Sequence, residues 1–161
     1  MKIQMFIGGF AAGVISCVAL WGLSVIAEDF SPADKQYLEE KNMAIAVEFY
    51  DRLLNQLDYD KARELMGDYY VQHNPHAKDG FEGIKAHIDM LKENYPLNHG
   101  DIKRVFANGD LVALHVHSKR YPDHLGNAIV DMFRIKDGKV VEHWDVVQAV
   151  PEESLNDNTM F

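Results

Sequence analysis

Asp131-Met132-Phe133-Arg134-Ile135-Lys136-Asp137-Gly138-Lys139-Val140-Val141-Glu142-His143-Trp144-Asp145 decides the fold. Two runs with a period of two flank Asp137-Gly138, a pair that accepts the positive φ angles of a tight turn. The stretch therefore predicts an antiparallel hairpin of residues 127–136 and 140–150. Upstream, residues 102–107 and 111–119 flank Asn108-Gly109 and predict a second hairpin. Pro151 ends the last strand, and the polar tail from Glu152 to Phe161 is expected to be mobile.

Before Pro96 the period changes to 3.6. Ser31-Pro32 fits an N-cap with proline in the first helical position. From there to Gln56, Met43, Val47, Tyr50 and Leu54 form one apolar stripe. Asp58 caps a short second helix over Tyr59–Met66, with Ala62, Leu65 and Met66 inward. Tyr69 to Pro75 reads as an extended segment ending in a turn. Gly80 to Tyr95 predicts a third helix with Ile84, His87, Ile88 and Leu91 on one side, stopped by Pro96. Three N-terminal helices followed by antiparallel strands give an α+β class, the helices packed on one face of a curved antiparallel sheet. Such curvature leaves a hollow between the layers, the usual place for a ligand.

The first 27 residues are of another kind. Lys2 is their only charge, and Ile3 to Ala27 is apolar or small except for Gln4, Ser16 and Ser24. A basic start, an apolar run and the small residues Val25 and Ala27 make a secretory signal, with cleavage expected before Glu28. The run is also long enough to span a bilayer uncleaved, and Val14-Ile15-Ser16-Cys17 has the form of a lipidation site at Cys17. All three endings place residues 28–150, one folded domain, outside the cytoplasm, in the periplasm or secreted. A membrane would be met only through residues 1–27, if these stay uncleaved or lipidated.

Cys17 is the only cysteine, so the folded part has neither disulfide nor thiol nucleophile. Without Lys2, 15 basic residues face 25 acidic ones, a formal balance of −10. That surface repels nucleic acid, which is not an expected partner. A glycine-rich phosphate loop and a G-x-S-x-G elbow are both missing from the sequence.

Ala46-Val47-Glu48-Phe49-Tyr50, Tyr70-Val71-Gln72-His73-Asn74-Pro75 and the Asp131–Asp145 stretch together resemble the SnoaL-like polyketide-cyclase family of the nuclear transport factor 2-like superfamily. The resemblance covers roughly residues 40 to 150. It implies a cone-shaped α+β barrel, often a homodimer through the outer sheet face. In cyclases of this type an aspartate on a late strand is the acid/base of an intramolecular aldol closure, helped by a histidine one strand earlier. Asp131 and His117 fall on the matching strands. Unlike the soluble cyclases, this chain carries an export segment.

The residues allow the same chemistry on their own terms. Asp131 lies in an apolar strand, Ala128-Ile129-Val130-Asp131-Met132-Phe133, where a carboxylate is costly to bury. Facing a pocket, its pKa would rise toward that of a general base; facing outward, it would pair with a basic neighbour. His115 and His117 share a face with Leu111 and Ala113, which argues that this is the covered face, yet Val112, Leu114 and Val116 make the other face apolar too. A three-residue Lys136-Asp137-Gly138 loop would pair Asp131 with His143; a strict two-residue turn would pair it with Trp144. The first is preferred, with Phe133, Val141, His143 and Asp145 on one face and Trp144 turned to the other, toward a dimer contact.

Asp131, His117 and His143 are thus the candidate catalytic residues, and His73, Asn74, His115, Phe133, Trp144 and Asp145 the candidate substrate-binding set. His115-x-His117 with His143 and Asp131 has ligand types for zinc or ferrous iron, but His-x-His on a strand is a weak motif. No metal and no cofactor are expected. The expectation is an acid/base enzyme (aldol cyclisation, isomerisation or related lyase chemistry) acting on a small, mostly apolar carbonyl compound. A non-catalytic ligand-binding domain is the alternative, and a metal-dependent enzyme the third reading.

Overall fold

The computed structural model describes residues 31–161; the expected signal, anchor and lipidation features of residues 1–27 lie outside the described residues. Helix α1 (Pro32–Tyr50) begins as its sequence predicts. Asp34 N–H donates to Ser31 Oγ at 3.2 Å, and Ser31 N–H donates back to the Asp34 carboxylate at 3.1 Å, a reciprocal cap ahead of Pro32. Its buried residues are Asn42, Ala46, Phe49 and Tyr50. Of the expected stripe only Tyr50 is fully buried, and Met43, Val47 and Leu54 are partly buried. A π turn (Asp51–Asn55) prolongs the helix and carries the covered face on to Leu53.

Helix α2 (Tyr59–Arg63) is capped by Asp58, whose carboxylate accepts from Lys61 N–H at 3.1 Å. It is shorter than expected because Met66 already opens strand β1 (Met66–Gln72). Helix α3 (Gly80–Asn94) follows, then β2 (His99–Asn108), β3 (Leu111–Lys119), β4 (Asn127–Lys136) and β5 (Lys139–Ala149). The sheet runs β1-β5-β4-β3-β2. Every neighbouring pair is antiparallel except β1 with β5, which is parallel, an addition to the antiparallel sheet expected from the hairpins. The helices pack on the concave face of this curved, unclosed sheet.

Turn chemistry sets the registers. Lys136 pairs with Lys139 around Asp137 (φ 52°) and Gly138 (φ 73°), a two-residue turn with both central residues left-handed. A bulge then places Ile135 opposite Val140 but Arg134 opposite Glu142, with Val141 as the extra residue. Asp131 consequently faces Asp145, and Phe133 faces His143. Neither pairing expected for Asp131 is realised. The displacement from the preferred register is two residues, so Phe133, His143 and Asp145 still share the face of Asp131. Val141 does not: Val140 takes the core position, and Val141 packs beside Gly67.

The core joins Ala46, Phe49, Leu53, Ile88 and Leu91 from the helices to Val112, Leu114, Val116, Phe133 and Val140 from the sheet. The convex face leaves Phe106, Leu111, Val130 and Val146 exposed. The tail, expected to be mobile, ends with the Phe161 ring stacked on His117 at 4.1 Å and near His115 at 5.6 Å on this face.

Gly83, on α3, is a position where a helix-favouring change reverses its sign. Glycine to alanine inside a helix normally gains about 1 kcal/mol. Here an added Cβ would overlap the backbone carbonyl of Lys78, and backbone cannot swing aside. Gly83→Ala is expected to lower stability by about 1–3 kcal/mol, read as a shifted urea midpoint.

Candidate active site

A cavity of ≈ 160 Å³ opens between the concave sheet and the helices. Its sheet wall is set by alternation along β4 and β5, which turns Ile129, Asp131 and Phe133, then His143, Asp145 and Val147, toward it. Its helical wall is Tyr50, Leu53 and Leu54 with Ile84 and His87 of α3.

Asp131 is 4 % exposed. Its Oδ1 lies 3.0 Å from His143 Nε2, while its Oδ2 is buried with no hydrogen-bond partner among the described residues. Burial raises its pKa, opposed by the hydrogen bond to His143. On the other side of the imidazole, Nδ1 is 2.9 Å from Gln72 Oε1. Asn74 N–H donates to the same Gln72 atom at 2.9 Å, which identifies it as the oxygen. A carbonyl oxygen only accepts, so His143 Nδ1 carries a proton and donates to it. One proton is then left between His143 Nε2 and Asp131 Oδ1, and the pair can pass it either way. Gln72 is itself anchored, its N–H donating to Asp79 Oδ1 at 2.8 Å. Asn74 Nδ2 donates to Asp145 Oδ2 at 2.6 Å, tying the strand end of β1 to β5.

The cavity also holds Tyr70 and Tyr50, whose phenols burial pushes up, with the Asp131 charge adding to it. They remain O–H donors at any ordinary pH. His87 is pushed down by burial, with the Arg120 charge adding to it. Arg120, Asn98, Ser118 and Asn127 line the cavity as well.

Of the expected site residues, Asp131, His143, Asn74, Phe133 and Asp145 line one cavity. His117 does not: its Nε2 contacts the Leu125 carbonyl at 2.8 Å on the convex face, and His115 Nδ1 meets Arg104 there at 2.9 Å. The covered face of β3 is that of Val112, Leu114, Val116 and Ser118. His73 and Trp144 stack on one another at 4.7 Å outside the cavity, with His73 Nε2 at 2.8 Å from Glu142. Gln72, Tyr50, His87 and Arg120 are not among the site residues expected from the sequence. Only His87 left a clear signal, by sharing the inner side of α3 with Ile84, Ile88 and Leu91. Among the described residues, the ligand-type atoms that converge to within 4.8 Å of one another belong to Asp131, His143 and Asp145, not to His115-x-His117. That trio could hold a cation only by giving up the Asp131–His143 hydrogen bond.

A family model described as SnoaL-like polyketide cyclase matches residues 44–153. Among curated proteins, none matches the sequence at a significant level. Solved structures share the fold. A candidate polyketide cyclase from Bacillus cereus ATCC 10987 is 20% identical, with 73% of this chain and 80% of that chain covered and a TM-score of 0.61. A candidate ketosteroid isomerase from Kribbella flavida is 17% identical, with 76% and 89% covered and a TM-score of 0.59. An LEH-like epoxide hydrolase from M. tuberculosis is 18% identical, with 68% and 84% covered and a TM-score of 0.58.

Proposed function

This chain belongs to the SnoaL-like polyketide cyclase family, and on that premise we propose that it is a cofactor-independent acid/base enzyme for a small carbonyl compound. One observation carries the reading: Asp131 presents an unpartnered Oδ2 beside a cavity while its other oxygen is held by an oriented imidazole. As carboxylate, Asp131 takes a proton from the carbon next to the carbonyl. The proton arrives on Oδ2, while His143, fixed by Gln72, keeps its Nε2–H on Oδ1 and steadies the carboxylate, so Asp131 itself carries the proton onward. The enolate oxygen that forms meets the O–H of Tyr70 or Tyr50. Returning the proton elsewhere isomerises the compound, and attack of the enolate on a second carbonyl closes an aldol ring.

Size narrows the substrate. A cavity of about 150 Å³ accommodates benzene, so ≈ 160 Å³ supports a compound near the size of one ring. The test is exchange of α-hydrogens for deuterium in D2O, followed by ¹H NMR over a panel of small ketones and diketones such as cyclohexanone and acetylacetone. The protein is expected to accelerate exchange, with Asp131→Asn as the inactive control. Binding without exchange anywhere in the panel supports the non-catalytic alternative.

Export of the domain, with cleavage before Glu28, is part of the same proposal. So is pairing of two copies, which the exposed Phe106, Leu111, Val130 and Val146 of the convex face support. Light scattering is expected to give twice the chain mass; a monomer at micromolar concentration would remove the pairing.

A further inference from the structure

We propose that Arg120 forms an anion subsite in the same cavity, so that the ligand is an oxo acid, a carbonyl compound bearing a carboxylate, and not a neutral ketone. The inference rests on the cavity being the ligand site of the enzyme just described, and goes beyond it in naming the ligand's charge.

Arg120 is half-buried, and its guanidinium donates to the neutral Asn98 Oδ1 at 2.9 Å and lies over the Tyr95 ring at 5.5 Å. Among the described residues no carboxylate comes within ion-pair distance of it. Arg63, on the Met66 and Gly67 carbonyls, and Arg104, on His115, also lack a carboxylate partner among these residues, but neither lines the cavity. Arg52 pairs with Glu48 and Glu64, and Arg134 with Asp110 and Glu142. Of the described arginines, Arg120 is the one that lines the cavity, and it does so with no carboxylate beside its charge. Desolvating a cation without a counter-charge is costly, and a bound anion offsets that cost.

The surroundings are built to hold it. Asn98 is buried, its Nδ2 donating to Leu54 O at 2.9 Å and its N–H to Tyr95 O at 2.8 Å, so the oxygen that orients Arg120 is fixed. A guanidinium has five N–H donors in a planar fork matched to a carboxylate, and Asn98 engages one nitrogen. Ser118, two residues before Arg120, and Asn127, opposite it on β4, line the cavity as well. Asp131 is four residues along β4 from Asn127, about 13 Å at strand spacing, a gap that the reach of the arginine side chain shortens. The layout suits a short chain or ring with its carboxylate at Arg120 and its acidic C–H at Asp131. Because the protein's overall charge is −9, attraction of an anion has to be local.

The test uses levulinate and its methyl ester, and benzoate and its methyl ester, each titrated into the folded protein and followed by ¹H–¹⁵N NMR. The acids are expected to bind at least about tenfold more tightly than their esters, as for a charge-assisted hydrogen bond. Arg120→Gln is expected to abolish the preference, and Arg120→Lys to keep part of it. If Arg120→Gln fails to fold, Asn98→Asp keeps the arginine but occupies it with a carboxylate, and is expected to cancel the preference likewise. Equal binding of acids and esters, binding of neither, or a preference that survives both variants overturns the subsite. Deuterium exchange separates the two claims: acid preference without exchange of levulinate sinks the enzyme reading alone. Exchange of neutral cyclohexanone that Arg120→Gln leaves untouched, with no acid preference, sinks the subsite alone.

Discussion

Asp131→Asn is expected to lose α-hydrogen exchange by about 10²- to 10⁴-fold, the usual worth of a positioned general base, while becoming more stable than the parent at pH 8. The two effects share one cause. The amide matches the carboxyl in shape, and its Nδ2 can donate to His143 Nε2, so the Gln72–His143 line persists. It cannot accept a substrate proton. Stability follows from linkage. The buried carboxyl has its pKa raised above the ordinary 3.8 by desolvation, so the folded state holds a proton that the unfolded chain releases. Unfolded chains then bind fewer protons, and parent stability falls as pH rises from about 3.8 until the raised value is passed, where it levels off. The variant lacks this loss. Its advantage, read from urea midpoints, should be small at pH 4 and full at pH 8, the other carboxylates cancelling in the difference. An advantage independent of pH, or none at pH 8, would mean that Asp131 is not held in a desolvated setting.

Phe49→Ala should be the most damaging single truncation for stability, at about 3–5 kcal/mol. Phe49 has no exposed surface and meets Phe133 edge to face, with ring centres 5.5 Å apart at 82°. A loss of that size is a large part of the roughly 5–15 kcal/mol that holds a domain together. The damage should also reach the site. Phe133 stacks at 5.0 Å on His143, so a cavity behind it loosens the imidazole that orients Asp131. Urea unfolding and deuterium exchange should both register it. Leu97→Ala, at a residue 64% exposed and not among those proposed to pair two copies, serves as the control and should cost little. A Phe49→Ala loss below about 1 kcal/mol would place that ring outside the central packing.

The Asp131–Asp145 stretch announced its own hairpin because local chemistry dictates it: Asp137 and Gly138 can both be left-handed, and alternation then assigns faces. Thus the common side of Asp131, Phe133, His143 and Asp145 was readable, although the partner of Asp131 was not. The bulge at Val141 leaves no mark in composition, since an extra valine in a valine-rich strand looks like any other. His117 misled for a different reason. Its strand is apolar on both faces, so a period of two does not say which face the helices cover. What settles it is the packing of β3, with Val112, Leu114 and Val116 in the core, against distant α1, a contact between segments that no local pattern encodes. The proposed anion subsite was invisible for the same reason. Arg120 sits just past a strand end among polar residues, and its meaning lies in the acid that is not beside it.

The Val141 bulge constrains how this hairpin can change over evolutionary time. With a two-residue turn and no bulge, Trp144 would stand opposite Asp131 and the imidazole of His143 would emerge into solvent. Deleting any one residue between Lys139 and Val141 therefore turns the remaining strand inside out, whereas removing or adding two preserves its orientation. Length variation at this corner should thus come in even steps, and an odd one should appear only in descendants that have given up the pocket.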